Sequence, residues 1–280
     1  MKVTSVEVFD IHCPDRQGWN PVFVRVHTDE GISGVGEAGL AYDLGHSAAA
    51  HMIKEMAEAF LIGHDPFQTE QLWSRMLRES FWGLGGGPVI YSAMSAIDTA
   101  LWDIKGKALK LPVYQLLGGK VNTDLRTYAS QLQFDWDSEF KALAHPEEYA
   151  EAALKAVAQG YDAVKVDPIM YNKNGETYYD RTNIISRGEM KLYRARMQAI
   201  RDAVGDEVDI IFECHSLPGA TTAIQLGAIA EEFDCMYYEE PVNYLNHSLH
   251  SKVADKVDVP IAGGERLYNR WQVRPYLEEQ

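Results

Sequence analysis

Asp209-Ile210-Ile211-Phe212-Glu213-Cys214-His215 is an apolar run that ends in charge. Two runs of the same build follow it, Met236-Tyr237-Tyr238-Glu239-Glu240-Pro241 and Pro260-Ile261-Ala262-Gly263-Gly264-Glu265. Glu213, Glu239 and Glu265 are each 26 residues from the next. Short apolar runs rich in β-branched and aromatic residues read as buried strands. Each interval has room for one strand, one helix and their loops, so it is one βα unit. Repeated βα units require a parallel sheet, either doubly wound or closed into a barrel, and periodicity does not separate the two.

The same rhythm extends outward from this stretch. Residues 125–130 and 163–168 are further candidate strands. Helical patterns occupy residues 146–159, 191–204, 221–233 and 245–256, and a last one runs from residue 269 to the end. Nearer the start the pattern is different. Residues 3–9 and 20–28 alternate apolar with polar, Asp29-Glu30-Gly31 makes a turn, and residues 32–37 form a third strand. That is an antiparallel meander. Helices are expected over residues 44–61, 67–78 and 89–109, with Gly83 to Pro88 as a breaker between the last two. The chain therefore divides into a small α+β domain, residues 1–121, and a βα domain, residues 122–280.

Bulk properties narrow the function. The formal charge is −15 and hydrophobic residues make up 46%. The composition is globular, and the acidity argues against a nucleic-acid partner. No apolar run reaches the roughly 20 residues that span a bilayer, and the start lacks a signal-peptide core, so no membrane role is expected. The three cysteines, Cys13, Cys214 and Cys235, are an odd number without metal-site spacing, which fits a reducing cytoplasm. No glycine-rich phosphate loop follows the first strand of the second domain, where the chain reads Gln131-Leu132-Gln133.

The chemistry sits at the strand ends. In a barrel these ends lie side by side on one face, where active sites form. A single glutamate there is ordinarily a solvated loop residue. Three at equal spacing converge, and converging carboxylates repel unless something neutralises them. A hard divalent cation does so, and three carboxylates plus waters and substrate oxygens suit octahedral Mg²⁺. Lys165 and Asp167, spaced i, i+2 in Lys-Val-Asp, share a face of the second strand. His215 lies two residues past Glu213 and is expected to point the same way, whereas Cys214 turns into the core.

Residues 93–118 read AMSAIDTALWDIKGKALKLPVYQLLG. This resembles the helix-and-turn signature of the mandelate racemase and muconate lactonizing enzyme family, within the enolase superfamily. Glu213-Cys214-His215, Glu239-Glu240-Pro241 and Gly264-Glu265-Arg266 resemble that family's metal-ligand strands, in its order. The resemblance spans essentially the whole chain. It implies an N-terminal capping domain followed by a (β/α)₈ TIM-type barrel. It implies one Mg²⁺ per chain held by Glu213, Glu239 and Glu265, with Glu240 facing away, and a homo-oligomer acting on a small-molecule carboxylate. The shared chemistry is removal of an α-proton to give a metal-stabilised enediolate.

The resemblance also implies a branch. Racemases of the superfamily commonly place a second lysine, the base, where this chain has Asp167, which argues against Lys-based racemisation. Lys165 either orients the substrate carboxylate or pairs with Asp167 or a nearby ligand. Acid-sugar dehydratases resembling galactonate dehydratase have a histidine at the place of His215, acting as general acid. Arg16 and Trp19, in a loop of the first domain, are candidate contacts to the polyol acid. The long loop of residues 170–189, with Tyr171, Tyr178, Tyr179 and Arg187, is either functional or disordered.

A barrel takes about 250 residues, so one beginning near residue 122 is expected to close near residue ~370. The barrel is thus expected to be cut after about five βα units, before the His–Asp base dyad of the dehydratase branch. On that expectation the 280-residue chain is inactive by itself. The leading expectation is a Mg²⁺-dependent acid-sugar dehydratase. The alternatives are a racemase, epimerase or cycloisomerase of the same superfamily, or a non-catalytic fragment or binding module.

Overall fold

The computed structural model describes residues 1–13, 18–40, 44–177 and 184–279, in two compact units, Met1–Asp124 and Leu125–Gln280. No helix among the described residues is long and apolar enough to cross a membrane.

The first unit opens with the meander β1 (Val3–Asp10), β2 (Val22–Thr28) and β3 (Ser33–Ala38), antiparallel throughout. Val22, Val24 and Val26 alternate onto one buried face. Four helices follow: α1 (His46–Met56), which runs into a π-helical turn, α2 (Thr69–Glu79), α3 (Pro88–Leu109) and the single turn α4 (Val113–Leu116). Helix α3 starts with Pro88, whose fixed φ and missing N–H suit a first-turn position. Its Ala93, Ala96 and Ala100 are fully buried. Opposite them, Gly34 and Gly36 let the helix backbone approach the sheet. A Cβ on either would overlap the carbonyl oxygen of Ala100 or Ala96.

The second unit is a parallel sheet, β4 (Ala163–Val166), β5 (Asp209–Glu213), β6 (Tyr237–Glu239) and β7 (Ile261–Ala262), in the order β4-β5-β6-β7. Helices α5 (Pro146–Ala158), α6 (Arg187–Val204), α7 (Ala220–Glu232) and α8 (His247–Ala254) alternate with the strands, and α9 (Arg270–Glu278) follows β7. Each strand adds on the same side of the last. A doubly wound sheet reverses direction at a switch point; this order does not, as in a barrel. The expected strand at residues 125–130 is reduced to a single parallel bridge, Ala129 to Val164, and Leu125 is 80% exposed. That bridge still places residue 129 on the free side of β4, in the barrel progression.

Alternation sorts the strand residues into two faces. Val164, Val166, Ile210, Phe212, Cys214 and Tyr238 pack into the apolar core with the helices. Lys165, Asp167, Ile211, Glu213, Tyr237 and Glu239 take the other parity. Cys214 is buried, its Sγ 3.5 Å from the Tyr238 hydroxyl, in keeping with a core role.

Candidate metal centre and its histidine

Glu213 and Glu239 are direct cross-strand partners at the C-terminal ends of β5 and β6. Glu265 follows β7 by three residues. One carboxylate oxygen from each of the three lies within 4.8 Å of the others. The three carboxylates therefore meet, as their spacing predicts. Lys165 on β4 reaches into the same cluster. Its Nζ is 2.9 Å from Glu213 Oε2 and 3.0 Å from Glu239 Oε2. Burial opposes the ammonium charge, but these two carboxylates outweigh it and hold the lysine protonated beyond its ordinary range.

Burial pushes Glu213 up to about 7, with Glu239 adding repulsion, against the pull of His215 and Lys165. Its Oε1 is buried and accepts no hydrogen bond among the described residues. An orphaned carboxylate oxygen in a cluster of acids is expensive unless a cation takes it. The donor set is all oxygen, which suits a hard ion such as Mg²⁺. With Lys165 offsetting one of three negative charges, a net of two remains, which matches a dication.

His215 lies beside the cluster. Its Nδ1 is 2.7 Å from Asp167 Oδ2 and its Nε2 is 3.6 Å from Glu213 Oε1. Alternation along β5 is not what aims it, because the strand ends at Glu213. His215 and Ser216 adopt φ of 45° and 60°, in the left-handed region, and the Ser216 N–H donates to Glu240 O. A turn that L-residues seldom adopt thus directs the ring. Burial alone would lower the imidazole pKa. The hydrogen bond to and charge of Asp167, with Glu213 and Glu265, push it up to about 9.

Lys165 pairs with the candidate ligands, and Asp167 pairs with His215. Asp167 is 1% exposed; its Oδ1 accepts from Ile169 N at 2.9 Å, and its own N–H donates to Gln133 Oε1 at 3.2 Å. Gln133 is fully buried and had no signal in the sequence beyond a polar residue after a strand. Glu240 is not one of the three clustered carboxylates; its φ is 45°, and its Oε2 accepts from Arg266 Nε at 3.0 Å. Arg266 Nη2 is in turn 3.1 Å from Glu265 Oε1, so the third carboxylate has an anchor that the spacing argument missed. Arg16, Tyr178 and Tyr179 lie outside the described residues; Trp19 is half-buried in the first unit. Tyr171 is buried and Arg187 opens α6.

Two family models match the chain: the mandelate racemase/muconate lactonizing enzyme N-terminal domain over residues 8–118, and the enolase C-terminal domain-like family over residues 148–280. A crystal structure of a member of the enolase superfamily from Salmonella Typhimurium superposes with a TM-score of 0.94 at 49% identity, covering 99% of this chain and 71% of that one. The chain belongs to the mandelate racemase/muconate lactonizing enzyme family of the enolase superfamily. A D-xylonate dehydratase of Haloferax volcanii and a D-galactonate dehydratase of Verminephrobacter eiseniae are each 34% identical to this member over 99% of its length. The chain spans 64% of the first relative and 65% of the second. Within the family frame, the first unit is the N-terminal domain and the parallel sheet belongs to the barrel domain.

Proposed function

We propose that this chain carries the Mg²⁺-binding and proton-donating parts of an acid-sugar dehydratase acting on an aldonate or aldarate. The observation that carries the reading is the meeting of Glu213, Glu239 and Glu265 beside a histidine fixed by a buried aspartate. The xylonate and galactonate dehydratases among the relatives support the substrate class.

Glu213, Glu239 and Glu265 would hold the ion, which when bound offsets the charge that develops on the substrate carboxylate as its α-proton leaves. Lys165 balances the ligand charge and keeps Glu213 and Glu239 together between turnovers. His215 is the acid. Asp167 accepts from Nδ1, so the proton available for transfer is on Nε2, the nitrogen that faces the cluster. When the C–O bond at the β-carbon breaks, the bonding electrons leave with the hydroxyl, which takes the Nε2 proton and departs as water. His215 is left neutral, its Nδ1–H tautomer fixed by Asp167. The resulting enol tautomerises to a 2-keto-3-deoxy acid. Lys165, engaged by two carboxylates, is poorly placed to act as a racemase base.

The test is a screen of acid sugars for Mg²⁺-dependent formation of 2-keto-3-deoxy acids by the protein expressed from its full gene, with His215→Asn beside the unaltered protein. Dehydration should fall by about 10²–10⁴-fold in the variant, the usual weight of general acid catalysis, with Mg²⁺ affinity retained. Exchange of the α-proton with solvent and no loss of water would instead make the protein a racemase or epimerase.

A further inference from the structure

Arg196 is fully buried in α6, among the apolar residues Tyr193, Met197 and Ile200. Its guanidinium lies 4.9 Å from the Tyr149 ring centre and 5.9 Å from that of Tyr193. Among the described residues it donates five hydrogen bonds to four main-chain carbonyls. Nε and Nη2 reach Ala144 O at 3.3 and 2.6 Å, Nη1 reaches Pro168 O and Tyr171 O at 2.7 Å each, and Nη2 reaches Asn172 O at 3.2 Å. Burying a guanidinium is costly, and a fold that needs only packing here does as well with an apolar side chain. The choice of carbonyls shows what the charge achieves.

Pro168 O and the N–H of Ile169 belong to one peptide plane, which is trans, as no cis bond occurs among the described residues. In a trans peptide the carbonyl and the N–H point to opposite sides, so fixing one aims the other. Arg196 fixes the carbonyl. The N–H then donates to Asp167 Oδ1 at 2.9 Å, and Asp167 Oδ2 accepts from His215 Nδ1 at 2.7 Å. Tyr171 O and Asn172 O, held by the same guanidinium, stop the rest of the turn from rotating.

We infer that Arg196 is a positioning residue: through the Pro168–Ile169 peptide it sets the direction of Asp167 and so of His215. Its importance to catalysis rests on the role proposed for His215; its effect on the histidine does not. A merely structural arginine would support stability and leave the His215–Asp167 bond unaltered.

The test is proton NMR of the protein labelled with ¹⁵N-histidine. The hydrogen-bonded Nδ1 proton of His215 is assigned by its loss in His215→Asn, and its exchange with water is then measured in Arg196→Lys. A lysine has one nitrogen and cannot span four carbonyls. The expected result is a folded variant whose His215 proton exchanges about tenfold faster or more, the scale on which outer-shell partners act. Tyr149→Phe, which removes the hydroxyl bond to Leu143 O in the same packing layer, should leave the exchange rate unchanged. An unaltered His215 proton in folded Arg196→Lys overturns the inference. So does a variant that cannot fold, which would assign Arg196 to the core alone, or the absence of a protected Nδ1 proton in the unaltered protein. If the Arg196 dependence is found and no acid sugar is dehydrated, the positioning stands and the proposed function fails.

Discussion

The two sheets bury their faces for different ends. In β1–β3 one face is sealed by valines and by glycines that admit the backbone of α3, and the other face is largely open. In β4–β7 the face toward the helices is apolar, while the opposite parity places Lys165, Asp167 and Glu213 out of water. Steric fit holds the first sheet. The second adds a charged cluster whose burial costs free energy that packing does not return. A fold carries such a cost where a ligand or a reaction offsets it. The contrast assigns stability to the first sheet and chemistry to the second, and both halves of that assignment can be broken.

The largest effect is expected at Glu213. Glu213→Gln should lower Mg²⁺ affinity by about 10²-fold or more, measured by calorimetry, because the ligand lost is the buried one; even outer-shell changes cost 10–100-fold. Glu265→Gln should lose less. The Glu265 side chain is 43% exposed against 1% for Glu213, and water weakens the attraction of an exposed carboxylate for a cation. Equal losses at the two positions would show that burial does not grade the ligands.

The first sheet should respond to bulk and not to charge. Gly36→Ala places a methyl against the Ala96 carbonyl, backbone against backbone, where no side chain can swing aside. It should destabilise the first unit by roughly 1–3 kcal/mol, the range for overpacking, seen as a lower midpoint in thermal unfolding. Mg²⁺ affinity should not change. A loss of affinity in this variant would erase the division between the two sheets.

Much of this was legible in the residues. Three glutamates at one spacing, each closing an apolar strand, are a signal because strand ends in βα repeats share a face. For the direction of His215 the i, i+2 reading is half right: alternation ends with β5, and the left-handed turn at His215 and Ser216 does the aiming. The expected strand at residues 125–130 comes down to one bridge at Ala129, since a short β-rich run does not set the number of ladder bonds. Gln133 was invisible, because its partner Asp167 is 34 residues away and the bond is to a main-chain N–H. Arg196 did leave a trace. A charged residue within Tyr193, Met197 and Ile200, at helical spacing on a buried face, is an arginine with a reason to be there.

The smallest effect sharpens the contrast by testing a charge outside the cluster. Glu148, in the first turn of α5, accepts from the N–H groups of Ala144 and His145 at 2.9 Å each and from Lys141 Nζ at 2.6 Å. Burial opposes its ionisation, but these bonds hold its pKa down to about 2 from an ordinary 4.5. A carboxylate with a depressed pKa stabilises the folded state above its unfolded pKa and loses that contribution as pH falls through its folded value. Glu148→Gln should therefore cost roughly 1 kcal/mol at pH 7, the weight of a helix cap. The difference between the two proteins should shrink as pH falls from about 4.5 toward 2. Mg²⁺ affinity should be untouched, since this charge serves a helix end. A stability gap that persists unchanged at low pH would mean that shape, and not ionisation, is what Glu148 contributes.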